Sequence, residues 1–197
     1  AAPQDMEYFY VFPFSDQHFL DNAYLKIRMK YLDLIIGKQQ ISLGTGYVWN
    51  PIDIFNIKDI LDPTYEQPGH NAIRIDIPVG TKYNITGIYS PDDTWKNSAK
   101  MVRFKGNIAH FDYTMVAMEK LWRFHNYTQP DEQIMNFVEV PVKRRLGGGS
   151  LVGELFGLGI WTEYGYNWMK NSNNFYEIVV GGDYTFDFQT YLMVEYY

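Results

Sequence analysis

Residues 23–63 read AYLKIRMKYLDLIIGKQQISLGTGYVWNPIDIFNIKDILDP, two alternating strands followed by one long polar and aromatic loop. In residues 23–31 the odd positions Ala23, Leu25, Ile27, Met29 and Tyr31 are apolar or aromatic, and Lys26, Arg28 and Lys30 fill the even ones. A period of two predicts a strand with one apolar and one charged face. Three like charges in a row need water beside them, at an edge, on an open sheet or in a water-filled barrel lumen. From Leu32 the apolar positions change parity, which predicts a turn or bulge at Tyr31-Leu32. The pattern slips again at Lys38, Gln39 and Gln40, which places a bend near Gly37.

A chain of 197 residues without a sharp compositional break predicts one domain over residues 1–197. Aromatic residues make up 18%, with 17 Tyr and 13 Phe, a composition that leans towards strands and membrane interfaces. No run of apolar residues is long enough for a helical membrane span, a test blind to barrels, so the negative mean hydropathy of -0.30 does not argue for solubility. Cysteine is absent, which removes disulfides, thiolate nucleophiles and thiolate metal sites. The opening Ala-Ala-Pro suits residues following a signal cleavage. The net charge of -6 is uneven: cations dominate residues 22–38 and carboxylates dominate residues 146–197. This balance argues against a nucleic-acid surface.

Further along, residues 5–14 read as an aromatic strand limited by Pro13 to an edge, an end or a bulge, with a turn near residues 15–18. Residues 44–70 form the major loop, in which PIDIFNIKDIL after Asn50 predicts about two helical turns, fitting a lid, a pore constriction or a surface excursion equally. Residues 71–79 and 83–90 alternate as a hairpin about Gly80-Thr81-Lys82. Residues 100–105 and 108–118 read as strands hinged at Gly106-Asn107, residues 119–131 as a connection, residues 132–141 as a weak strand, and Lys143-Arg144-Arg145 with the following GGGS as loop. Residues 151–166, 175–186 and 188–197 are again strand-like. The total is about ten strands of about eight to fourteen residues, longer than the roughly five to six of soluble sheets and near the nine to eleven that cross a bilayer.

Four blocks, residues 34–56 (LIIGKQQISLGTGYVWNPIDIFN), residues 106–118, residues 153–166 (GELFGLGIWTEYGY) and residues 181–197 (GGDYTFDFQTYLMVEYY), carry a resemblance. Together they resemble the porin-like barrels of Gram-negative outer membranes, in particular large ones related to alginate-export and other substrate-export proteins. The resemblance implies an all-β fold, an antiparallel transmembrane β-barrel seen whole or in part, because members of that family are usually much longer and carry further strands. It implies a porin-like channel or export conduit in the outer membrane, without catalysis or cofactor, whose partners are outer-membrane lipid and a solute it does not specify.

On that reading the polar strand positions Lys26, Arg28, Lys30, Arg74, Asp76, Arg103, Lys105, His110, Asp112, Glu163, Asp183 and Glu195 line the pore, and the alternating apolar positions face lipid. The basic members either steer anions or pair with Asp33, Asp76, Asp112, Glu163 and Asp183 across the lumen. Trp49, Trp95, Trp122, Trp161 and Trp168 are candidates for interfacial girdles, and Gly157, Gly159, Gly181 and Gly182 for places where a bulky neighbour or inserted loop approaches the wall. The four histidines lack metal-binding spacing. Asp53, Asp59, Asp62 and Glu66 match no Ca²⁺ loop. Three other functions fit the composition: a hydrolase on the barrel wall using His110 and Asp112, a barrel serving as scaffold for a protein partner, and a soluble β-barrel binding a hydrophobic ligand.

Overall fold

The computed structural model describes residues 20–56, 69–131, 136–170 and 172–197. The strand and turn expected in residues 5–18, the second half of the expected helix, and Asp59, Asp62 and Glu66 lie outside them. The described residues form one antiparallel sheet of ten strands in sequence order. These are β1 (Ala23–Arg28), β2 (Asp33–Gln39), β3 (His70–Val79), β4 (Tyr83–Ser90), β5 (Ala99–Ile108), β6 (Phe111–Asp131), β7 (Asn136–Leu155), β8 (Leu158–Met169), β9 (Phe175–Thr185) and β10 (Tyr191–Tyr196). Every strand pairs only with its chain neighbours, so β1 and β10 are the two edges and the sheet is not closed on itself.

Alternation sets the register. β1 and β2 join through a turn in which Met29 N donates to Leu32 O, at the expected change of parity. Gly37 has φ of 131°, a conformation that costs other residues dearly, while the pairing of β2 to both neighbours runs through it unbroken. Two expectations fail. Residues 119–131 are no connection but the second half of a 21-residue β6, and residues 143–150, the Lys-Arg-Arg-Leu-Gly-Gly-Gly-Ser stretch read as loop, lie within a 20-residue β7. The glycines belong there because neighbours press against the strand. A Cβ on Gly148 would meet Tyr164 O and come within 2.8 Å of Ile52 Cγ2, and one on Gly149 would lie 2.5 Å from Thr114 O. The expected hinge at Gly106-Asn107 lies three residues further on, at 109–110, where Ala109 takes a positive φ of 55°.

The two faces differ. One carries Leu25, Ile27, Ile36, Ile73, Ile75, Ile77, Val102, Met115, Leu151, Ile178, Val180, Leu192 and Val194, all exposed. The in-register row Ile77–Ile85–Phe104–Met115 shows how the band runs without a charge from strand to strand. Aromatic rings bound it on both sides. Tyr83, Phe104 and Tyr113 lie in contact beside the short turns, with centroids 5.9 and 5.8 Å apart. Tyr89, Trp95, Tyr166 and Trp168 lie beside the longer connections. From Lys100 to Ile108 the strand rises about 27 Å.

The opposite face carries Lys26, Arg28, Arg74, Asp76, Thr86, Arg103, Glu163, Asn167 and Glu195, following the pairing register. Against it fold residues 40–56, the described part of the segment after β2, which hold a turn at Pro51-Ile52 and neither strand nor helix. Ile41, Leu43, Ile52, Ile54 and Phe55 of this segment pack on Ala72, Ile88, Met101, Val116, Met118 and Leu146 to make the buried core.

Because Gly148 touches backbone and the loop while a Cβ on Gly87 would meet nothing within 4 Å, the two should respond oppositely to alanine. In urea unfolding, Gly148→Ala is expected to lose about 1–3 kcal/mol, and Gly87→Ala to hold its midpoint or gain up to about 1 kcal/mol.

Candidate functional site

The site is the inner face with the loop that lies on it. A loop over a sheet carries backbone N–H groups that no strand satisfies, and each left unpaired in a buried place costs about 1–3 kcal/mol. Three carboxylates meet that need. Glu163 on β8, only 1% exposed, accepts Ile52 N at 2.7 Å on Oε1 and Thr45 N at 2.8 Å on Oε2. Glu195 on β10 accepts Val48 N at 2.9 Å and Trp49 N at 3.3 Å on Oε1, and Tyr47 N and Trp161 Nε1, both at 2.8 Å, on Oε2. Asp53, within the loop, accepts Leu43 N at 3.0 Å and the amides of Phe55 and Asn56 at 3.1 Å. Burial raises the Asp53 carboxyl above its usual value, and these hydrogen bonds pull it back.

Cations complete the anchorage. Lys120 on β6 donates to Ile54 O at 3.0 Å and lies 5.1 Å from the Phe55 ring centroid. Arg144 on β7, buried between Trp122 and Phe175, donates to Asn167 Oδ1 at 2.7 Å and to Glu177 Oε2 at 3.1 Å. Tyr197 Oη donates to Glu177 Oε1 at 2.7 Å, and its ring stacks on Trp49 at 5.3 Å. Pro51, Asp53, Trp122, Arg144 and Tyr197 share a cleft of about 240 Å³ at this junction.

A second group of charges lies away from the loop, on β1 to β5. Lys26 pairs with Asp33 at 3.0 Å. Arg74 Nε lies 2.8 Å from Asp76 Oδ2, close enough for an ion pair but without the alignment of a hydrogen bond. Arg103 Nη2 donates to Thr86 Oγ1 at 3.2 Å, and its buried Nε has no hydrogen-bond partner among the described residues. Thr86 in turn donates to Asp76 Oδ1 at 2.6 Å or to Asn84 Oδ1 at 2.9 Å. Two guanidiniums thus share one carboxylate, leaving cationic donors to spare on this wall.

The residues expected to line a pore fall into four places. Lys26, Arg28, Arg74, Asp76, Arg103 and Lys105 occupy the inner face of β1 and β3 to β5. Glu163 and Glu195 are on that face too, but as acceptors beneath the loop. Asp183 and Asp112 follow the same parity near the short-turn end, where Asp183 accepts Tyr191 Oη at 2.9 Å and Asp112 accepts Asn107 Nδ2 at 2.6 Å. Lys30 and His110 belong to turns rather than strand faces. Of the tryptophans, Trp95 and Trp168 are exposed at the outer rim, whereas Trp49, Trp122 and Trp161 serve the inner face. The loop approaches the wall at Gly148 and Gly165, where a Cβ would come 3.0 Å from Pro51 O, and not at Gly157 or Gly159. Gly181 does make room for a bulky neighbour, Trp161. Sequence reasoning missed Lys120 and Asn167, weighed Asp53 only as a Ca²⁺ candidate and read Arg144 as loop; the in-strand glycines 148 and 165 are the available signal for their role.

Comparison with known proteins brings no match, neither to a family model, nor to a curated protein, nor to a solved structure.

Glu195→Ala removes the acceptor for three consecutive loop amides. Hydrogen exchange at Tyr47, Val48 and Trp49 is expected to speed up by about tenfold or more, with the β3–β4 amides unchanged. Unchanged exchange at residues 47–49 would show that the loop holds without Glu195.

Proposed function

We propose that the chain forms a wall of a porin-like channel or conduit in an outer membrane, narrowed by residues 40–56. The observation that carries this reading is the contrast between the faces: an exposed aliphatic band between two aromatic rims, backed by a charged face that holds a loop. Lipid tolerates the first face and water the second. The unequal ends support it as well, since the two longest connections, residues 40–69 and 91–98, lie at the same end, an asymmetry common in outer-membrane barrels. In lipid the free edges of β1 and β10 must be paired. The reading therefore includes further strands, from the same polypeptide or another copy, that complete a barrel.

In this reading the loop narrows the passage without filling it, since it packs on an apolar patch of the face and a charged strip with Lys26, Arg28, Arg74 and Arg103 lies beside that patch. These cations lower the entry barrier for anions, and the pairs with Asp33 and Asp76 offset only part of their charge. The reading is thus a constricted, anion-leaning channel. A wall-borne hydrolase has less support, since His110 is in an exposed turn and Asp112 is engaged by Asn107. A soluble ligand binder would leave the whole apolar band in water, far more than the few hundred Å² soluble monomers usually expose.

Purified protein is expected to need detergent and to shift in gel mobility on boiling; a monodisperse detergent-free monomer would overturn the membrane reading. In planar bilayers Glu195→Ala should raise single-channel conductance by loosening the constriction. Arg103→Gln should lower the chloride-to-potassium permeability ratio. Equal permeability in both forms would remove the anion assignment and leave the conduit.

A further inference from the structure

On the lipid-facing side the wall is thin along one row. Gly87, Ala117 and Gly147 lie in register with Val102 between the first two, so small residues dominate three neighbouring strand positions. A trough of about 870 Å³ results, flanked by Ile75, Tyr89, Trp95 and Trp168. Its wall is almost wholly apolar, and its upper end is closed by Lys100, Glu119 and Arg145. Just beyond that end are two further cavities, of about 520 and 390 Å³, which share Lys96, Lys143 and Lys170.

Among the described residues the charges at this end do not balance: Lys96, Lys100, Lys143, Arg145 and Lys170 line the three cavities against Asp93 and Glu119. Glu119 alone serves three of them, with Lys143 at 2.6 Å, Arg145 at 2.8 Å and Lys100 at 3.9 Å. The ammonium groups of Lys96 and Lys170 have neither hydrogen bond nor ion pair among the described residues. An apolar slot opening sideways, headed by cations that one carboxylate cannot neutralise, has the chemical order of an anionic amphiphile: chain below, charged head above. A group with several anionic oxygens suits several ammonium donors at once.

We propose that this trough and its basic head bind a phosphorylated acyl lipid, an acyl chain lying over Gly87 and Gly147 and the phosphate held by Lys96, Lys143 and Lys170. The proposal rests on the membrane reading above. It assigns a role to cations that neither hold the loop nor face the conduit. It also explains why small side chains interrupt an otherwise bulky aliphatic band.

The test is native mass spectrometry of the detergent-solubilised full chain titrated with lipid A, with enzymatically dephosphorylated lipid A, and with excess inorganic phosphate as competitor. Two variants accompany it. Lys96→Gln with Lys170→Gln removes charge from exposed positions, and Gly87→Leu fills the trough from a position where a Cβ meets no atom within 4 Å. Far-UV circular dichroism and boiling-dependent gel mobility verify that both variants fold. Lipid A should be retained about tenfold more strongly than its dephosphorylated form, and each variant should lower retention about tenfold. Equal retention of the two lipids, or variants that bind lipid A like the parent, would overturn the proposal. Full displacement by inorganic phosphate together with an inert Gly87→Leu would overturn it in favour of a free-anion site. Protein that needs detergent yet binds no lipid A loses only this inference, whereas protein that is monodisperse without detergent loses the membrane reading first.

Discussion

A strand-free segment can lie on a sheet only if something accepts hydrogen bonds from its backbone, and here Glu163 and Glu195 meet that demand. Their four oxygens take up five backbone N–H groups of residues 45–52 and the Trp161 indole. A carboxylate 1% exposed is costly unless its lone pairs are used, and amides beneath a loop are costly unless they have acceptors. Each problem is the other's solution. The inner face of β8 and β10 is polar because of the loop it carries, and the loop keeps one conformation because that face is polar. Gly148 and Gly165 make the same bargain sterically, giving up side chains where Ile52 and Pro51 come closest.

The same pleat therefore serves two different media. Leu146 and Met118 face inwards to the apolar underside of the loop while Gly147 and Ala117, one residue away, face outwards. Inward positions divide again, into an apolar patch under Ile52 and Phe55 and a charged strip from Lys26 to Arg103. A one-residue slip anywhere would place guanidiniums in the aliphatic band and isoleucines against Asp33 and Asp76. Register is thus specified from both sides at once, which explains how β2 passes through the positive φ of Gly37 without losing its pairing.

Much of this was legible in the chain, because alternation is a local signal. Residues 83–90 are a strand to the residue, and Ile73, Ile75 and Ile77 lie opposite Arg74 and Asp76 as their spacing requires. The long β6–β7 hairpin was not legible. Lys143 to Ser150 combines three cations with three glycines, a loop composition by any local rule, and only partners on β6 and β8 make it a strand. The inward loop was hidden for the same reason, since Glu163 and Thr45 are 118 residues apart and nothing near either announces the other. In-strand glycines were a usable hint, although the informative ones were Gly148 and Gly165 rather than those nearer the β7–β8 turn. A closed barrel was expected from strand length as well as from the family resemblance, and the sheet of the described residues is open.

The order of the strands adds a constraint in time. A meander in which every strand pairs with the next can zip from either end with little loop-closure cost, so the sheet itself has no need to wait for distant residues. The loop is different. It leaves the sheet after the second strand, yet three of its amides are received by the tenth, across 146 to 148 residues. Until β10 is laid down, Tyr47, Val48 and Trp49 lack the Glu195 acceptor, and the loop rests on Glu163, Lys120 and its apolar contacts. The last step of its docking thus works as a completion signal, made only on a wall that has already been built to its final strand.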